Sequence, residues 1–222
     1  MPRYRRNGAI MEHKATNTGN GSEQYFASTP SSEDVRLRLT IHTREHEFNV
    51  TTSHGVFSMH RLDLGTSVLL RQAPQAGNSG NMLDLGCGWG PISLTLAAEN
   101  PDATVWALDV NERALDLTRD NAKANGLDNI RPVLTDQIPA DMQFDCIWSN
   151  PPIRVGKEIL HELLMTWLPR LKPQGSAYLV VQKNLGADSL IPWLAQALGE
   201  EFSVSKYASS KGYRVIEVLR KA

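Results

Sequence analysis

From residue 82 onward the chain alternates short apolar runs with longer amphipathic ones, and few architectures accept that order. "NMLDLG", "TVWALDV", "IRPVLTD", "FDCIWSN" and "SAYLVVQ" are apolar enough for strands buried on both faces. "PISLTLAAEN", "NERALDLTRDNAKANG", "GKEILHELLMTWLPRL" and "ADSLIPWLAQAL" between them read as helices, with Gly126 well placed as a C′ residue of the second. Strands alternating with helices predict an α/β fold, a mostly parallel sheet covered on both faces. "EFSVSKYA" and "YRVIEVLRKA", joined by the polar turn "SSKG", add a C-terminal antiparallel hairpin, at one edge of the sheet or inserted into it. That makes seven strands in all. Upstream, "VRLRLTIHTREHEFNVTTS" (35–53) alternates about a polar centre and reads as a separate N-terminal β-hairpin.

Residues 1–24 are polar and aperiodic and read as a disordered tail, with Met11 an alternative start to Met1. Residues 25–222 then form one domain, with a hairpin and cap segment at about 35–70 and a ligand-binding core at about 80–222. Two cysteines, Cys87 and Cys146, sit inside apolar stretches, which argues against a disulfide scaffold and fits a reducing, cytoplasmic setting. The N-terminus carries positive charge without an apolar stretch after it, so no secretory signal is expected. No apolar run approaches the ~18–20 residues of a membrane-spanning helix. His42 and His46 lack nearby cysteines or carboxylates to complete a ligand set, so no metal is expected. The formal net charge is −1, so a nucleic-acid partner would have to be met by a local patch.

"LDLGCGWGP" (83–91) joins the first parallel strand to a helix. Gly86, Gly88 and Gly90 allow a tight turn and close approach of a ligand to the backbone, with the helix N-terminus aimed at it. The third glycine follows the second by two residues rather than the three of the dinucleotide fingerprint. Asp84, two before the first glycine, is placed to meet a cationic ammonium group. Asp109 ends the next strand, at the interval suited to an acid that accepts from ribose hydroxyls; it or Asn111 also suits a helix cap. Asp136 ends the third strand, where a carboxylate can accept from an adenine amino group. Asn150-Pro151-Pro152 ends the fourth on a rigid, donor-poor corner. The Asn150 amide oxygen and the Pro151 carbonyl offer two acceptors to a planar amino group, although a strand-stopping turn uses the same residues.

"LDLGCGWGPISLTLA", "ALDVNERALDLTRDNAKANGL", "FDCIWSNPPIRVGKEILHELL", "LVVQKNLGADSL" and "KGYRVIEV" resemble class I S-adenosylmethionine-dependent methyltransferases of the small-domain family. That family includes guanine-N2 methyltransferases of ribosomal RNA. "GVFSMHRLDLGTSVLL" (55–70) resembles the family's segment ahead of the glycine loop. The resemblance runs from about residue 36 to the end and implies a Rossmann-like fold with S-adenosylmethionine as cofactor. It implies that Asp84 and the loop of Gly86, Cys87, Gly88 and Gly90 hold the methionine part. Asp109, with Val110 and Asn111, would hold the ribose, and Asp136, with Gln137, the adenine. Asn150, Pro151 and Pro152 would grip the target nitrogen, Asn150 touching the cofactor as well. Phe57, Ser58 and Thr66 would close the site, although a helix N-cap accounts equally well for Asp63 and Thr66. Ile153 departs from many amino-methylating relatives, which carry an aromatic residue there to stack on a flipped base.

The expected activity is N-methylation of an exocyclic amino group, guanine N2 in ribosomal RNA. The RNA would be met by Ile153, Arg154, Lys157 and Lys183, and by the cationic C-terminal hairpin with Lys206, Lys211, Arg214, Arg220 and Lys221. A protein glutamine presents the same pair of N–H donors and is the alternative substrate. A cofactor-binding assembly factor without turnover is the third reading, against which the intact Asn150-Pro151-Pro152 argues.

Overall fold

A computed structural model describes residues 32–77 and 79–222; the expected N-terminal tail lies outside them. Strands β1 (Arg36–Thr43) and β2 (His46–Ser53) form a two-stranded antiparallel sheet. Helix α1 (Leu64–Gln72) follows. The main body alternates β3 (Ser79–Leu85), α2 (Pro91–Glu99), β4 (Asp102–Leu108), α3 (Glu112–Ala124), β5 (Ile130–Val133), β6 (Phe144–Ser149), α4 (Lys157–Trp167), β7 (Leu171–Gln182) and α5 (Ala187–Leu198). Strands β8 (Phe202–Ser210) and β9 (Tyr213–Arg220) close the chain.

The seven strands order as β5-β4-β3-β6-β7-β9-β8. Pairings from β5 to β7 are parallel, and β9 runs antiparallel between β7 and β8. Of the terminal hairpin, the antiparallel β9 is therefore inserted beside β7, and β8 forms the edge. Pro132 sits in β5, an edge strand, where its missing donor costs no ladder bond. The chain begins its sheet at the centre, runs outward through β4 and β5, and returns on the other side of β3 with β6. The loops after β3 and β6 thus part at the carboxyl edge and open a crevice.

Alternation along the strands sorts the core. Met82, Cys146 and Trp148 face the layer of α1, α2, α3 and the N-terminal hairpin, while Leu83, Leu85 and Ile147 face α4 and α5. Helix α2 is buried from Pro91 to Ala97, a pattern no amphipathic helix shows. The hairpin explains it, covering the side that would otherwise meet water. Its Thr43 hydroxyl bonds that of Thr95 on α2 at 2.8 Å. Arg44 reaches past it to the carbonyls of Leu70 and Ala73, each at 2.7 Å, and pairs with Glu99 at 3.3 Å. The outer edge of β2 is satisfied by side-chain amides of α3: Asn121 accepts from Thr51 N–H and donates to its carbonyl, and Asn125 does the same at Asn49. No described helix is long and apolar enough to cross a membrane.

Candidate active site

A cleft of about 660 Å³ opens at the carboxyl ends of β3, β4 and β6. Gly86 (φ 80°) and Gly88 (φ 57°) form its floor, in the left-handed region that glycine adopts without penalty. A Cβ built on either meets no atom within 4 Å, so at both the missing side chain leaves open space. The loop is pinned from β4. Gly86 N–H and Cys87 N–H each donate to the Leu108 carbonyl at 2.9 Å, and Gly88 N–H donates to Asp109 Oδ2 at 2.9 Å. Gly90 has another reason to be glycine. It does not line the cleft; it caps α2 at φ 91°, and a Cβ there would lie 3.0 Å from the Thr118 side chain on α3. Cys87 does line the cleft, and burial pushes its thiol well above the usual range, which disfavours the thiolate.

Asp109, Val110 and Asn111 line the wall beside the loop. Asp109 Oδ1 accepts from Asn111 N–H at 2.9 Å. Burial raises its carboxyl above the ordinary range, opposed by bonds from the N–H groups of Asn111, Gly88 and Val110. Asn111 caps α3 through its Oδ1 and donates its amide N–H to the Gly55 carbonyl at 2.8 Å, tying the wall to the N-terminal segment.

Asp84, unlike Gly86 and Gly88, does not line the cleft. It shares parity with Met82, so it points under α2 rather than into the cleft, and it is fully buried. Its Oδ2 accepts from the Ser93 N–H at 2.9 Å and the Ser93 hydroxyl at 2.6 Å. Gly90 has no side chain to cap α2, and Asp84 supplies that cap from the sheet. Its Oδ1 is buried and has no hydrogen-bond partner among the described residues. Burial pushes the Asp84 carboxyl up to about 7. In the unfolded chain the same group ionises at about 4. Folding therefore retains a proton between those values, and stability falls as pH rises across that window, by about 4 kcal/mol in all. Asp84→Asn keeps an acceptor for Ser93 and removes the titration. Urea titrations from about pH 4.5 to 8 should show the variant gaining on the wild type as pH rises; a constant difference would contradict this assignment.

Asp136 and Gln137 do not line the cleft themselves. They occupy one short turn with exposed side chains, and only Thr135 of that turn lines the cleft. Gln137 Oε1 instead accepts from the Leu134 N–H at 2.8 Å. Lys183 is exposed just outside the lining, and its neighbour Gln182 is in it.

Asn150, Pro151, Pro152, Ile153 and Arg154 form the opposite wall. Asn150 donates through Nδ2 to Asp63 Oδ2 at 2.9 Å and to the Thr66 hydroxyl at 3.0 Å. Asp63 caps α1, its Oδ2 also accepting from the Thr66 N–H at 3.0 Å. Asp63 and Thr66 thus form the cap of α1 and line the cleft in one arrangement. Phe57, 41% exposed, and Ser58 close the N-terminal side. The Ser58 hydroxyl donates to the Arg61 carbonyl, and its own carbonyl accepts from Trp89 Nε1. Ile153 packs partly on the α4 and α5 side of the core.

Sequence reasoning missed Tyr213 and Gln182. Both line the cleft because β9 starts where β7 ends, Gln182 standing opposite Tyr213. The expected cationic hairpin is partly neutralised within the fold, Arg214 by Asp188 at 2.9 Å and Arg220 by Glu201 at 3.4 Å.

The family model of the methyltransferase small domain matches residues 47–217. The chain belongs to the methyltransferase small domain family. Among relatives of this family, the Bacillus subtilis protein YbxB is 35% identical over 202 residues, covering 90% of this chain and 99% of YbxB. The ribosomal RNA small subunit methyltransferase C of Aeromonas hydrophila is 36% identical over 154 residues, 67% of this chain and 44% of that protein. The large subunit methyltransferase G of Shewanella amazonensis is 30% identical over 151 residues, 64% of this chain and 39% of that protein. This chain therefore spans less than half the length of those two ribosomal RNA methyltransferases. In fold it is similar to the Thermus thermophilus 16S rRNA N2 G1207 methyltransferase, solved with AdoMet and guanosine. The TM-score is 0.72 at 23% identity, covering 87% of this chain and 52% of that one.

Proposed function

We propose that this methyltransferase-family chain transfers a methyl group from S-adenosylmethionine to an exocyclic amino group in RNA, guanine N2 in ribosomal RNA. The observation that carries this reading is Asn150, fixed by two hydrogen bonds at the rim of a cleft whose glycine floor has open space above it. Gly86, Gly88 and Asp109 fit the cofactor, the glycines by close backbone approach and Asp109 by remaining lone pairs that suit ribose hydroxyls. When bound, the cofactor supplies an electrophilic methyl group on a sulfonium.

The chain's own residues prepare the nitrogen. The oxygen of Asn150 and the carbonyl of Pro151 accept the two N–H bonds of the amino group and hold it out of conjugation. Its lone pair then localises toward the methyl carbon. No strong base is needed, because the proton leaves after the nitrogen has become cationic. Arg154, exposed at the mouth, suits a phosphate, and Lys183 stands nearby. The names of the relatives favour RNA as the acceptor. Protein glutamine is the second reading, favoured by a net charge of −1 and by the internal pairing of Arg214 and Arg220.

Labelled methyl groups from S-adenosylmethionine, offered to RNA and protein fractions of cells lacking the gene, separate the two. Label is expected in ribosomal RNA. Label confined to protein would overturn the RNA reading in favour of glutamine.

A further inference from the structure

An asparagine amide carries two N–H donors at one end and an acceptor at the other. Left to turn, Asn150 would show either end to an incoming group. The surrounding residues remove that freedom. An ionised carboxylate accepts and cannot donate, so the amide end that faces Asp63 Oδ2 at 2.9 Å must be the nitrogen. Thr66, 4% exposed, takes a second contact from the same nitrogen at 3.0 Å. Both N–H bonds are thereby consumed on the α1 side. Gly65 leaves no slack behind them: a Cβ there would lie 2.9 Å from Asp63 Oδ2, 3.0 Å from the Tyr213 ring and 3.4 Å from Asn150 Nδ2.

We propose that Asp63 and Thr66 are positioning residues that hold Asn150 oxygen-first toward the cleft, making the site selective for acceptor groups that carry N–H donors. The inference rests on the amino-methylating reading and extends it to residues outside the Asn-Pro-Pro corner. A ring nitrogen without hydrogen, or a carbonyl oxygen, would meet a lone pair on Asn150 and be repelled. An amide free to turn would admit both kinds of group. Specificity is thus fixed by the first turn of α1, which belongs to the segment preceding the sheet.

Two measurements test this. The first needs no substrate. In 15N-labelled protein the Asn150 side-chain N–H signals, identified by their loss in Asn150→Asp, should exchange with solvent far more slowly than those of exposed asparagines. Thr66→Val, close in shape but without the hydroxyl, should speed that exchange, and Thr66→Ser should restore it. Asp63→Ser keeps a cap for α1 and should also release the amide. Fast exchange in the wild type, or exchange left unchanged by both Thr66→Val and Asp63→Ser, would overturn the clamp.

The second measurement uses tritiated S-adenosylmethionine and ribosomal RNA from cells lacking the gene. Thr66→Val should lower the transfer rate roughly tenfold with cofactor affinity unchanged, as for loss of one neutral hydrogen bond. In an Asn150→Ala background it should cost nothing further, because it acts through Asn150. An equal loss in both backgrounds would show a role independent of Asn150 and defeat the proposal. If the wild type labels no RNA, the substrate reading fails, and the exchange measurement still decides the clamp.

Discussion

Replacing Asn150 by alanine should lower the methyl-transfer rate by about 10²-fold or more while leaving cofactor affinity nearly unchanged, the pattern for losing a preorganised hydrogen-bonding group. The separation follows from position. Asn150 follows β6 on the wall across the cleft from the pinned glycine loop, and among the described residues its side chain bonds Asp63 and Thr66 on the α1 side. Alanine removes the acceptor aimed at the incoming nitrogen. It leaves untouched the bonds that pin the glycine loop to Leu108 and Asp109. Isothermal calorimetry with S-adenosylmethionine, beside single-turnover transfer rates, reads the two effects apart. Parallel loss of both would make Asn150 a cofactor-holding or folding residue.

Gly88→Val should abolish cofactor binding, the second large effect. The position has a φ of 57° and open space where a Cβ would stand, so the isopropyl group would project into the volume assigned to the ligand. A β-branched residue also resists this backbone conformation, which adds a stability cost. Gly88→Ala separates the two, since alanine tolerates the conformation at about 1 kcal/mol and still intrudes on the ligand. Gly90→Ala is the opposite case. Its Cβ would press on Thr118 at 3.0 Å, so it should lower thermal stability first and affinity only as a consequence. Calorimetry on the folded Gly88 variants is decisive, and undiminished affinity in both would remove the glycine loop from the cofactor site.

The order of strands and helices was legible because each strand of a covered parallel sheet must be apolar, and the helices exposed on one side, such as α3, repeat near 3.6 residues. The insertion of β9 was not, because pairing partners are set by the whole sheet and not by the hairpin itself. Tyr213 went unnoticed for the same reason: only after β9 is laid beside β7 does its first residue reach the cleft. The position of Asp84 was readable in principle. Its parity with Met82 and opposition to Leu83 and Leu85 place it under α2, a signal carried by alternation along the strand and not by spacing to the glycines. Asp136 illustrates a limit, since a loop aspartate's direction depends on a turn whose geometry its own residues barely constrain. The service of Asn121 and Asn125 to the edge of β2 left no sequence signal either. An asparagine on a helix reads as surface until its tertiary partner is known.

The central claim is that this cleft methylates an amino group of ribosomal RNA. Mass spectrometry of nucleosides from the ribosomal RNA of wild-type cells and cells lacking the gene tests it most directly. The account predicts that one N2-methylguanosine is lost on deletion, that it returns when the wild-type gene is restored, and that it does not return with Asn150→Ala. An unchanged set of methylated nucleosides, accompanied by disappearance of a methylated glutamine from a protein, would contradict it.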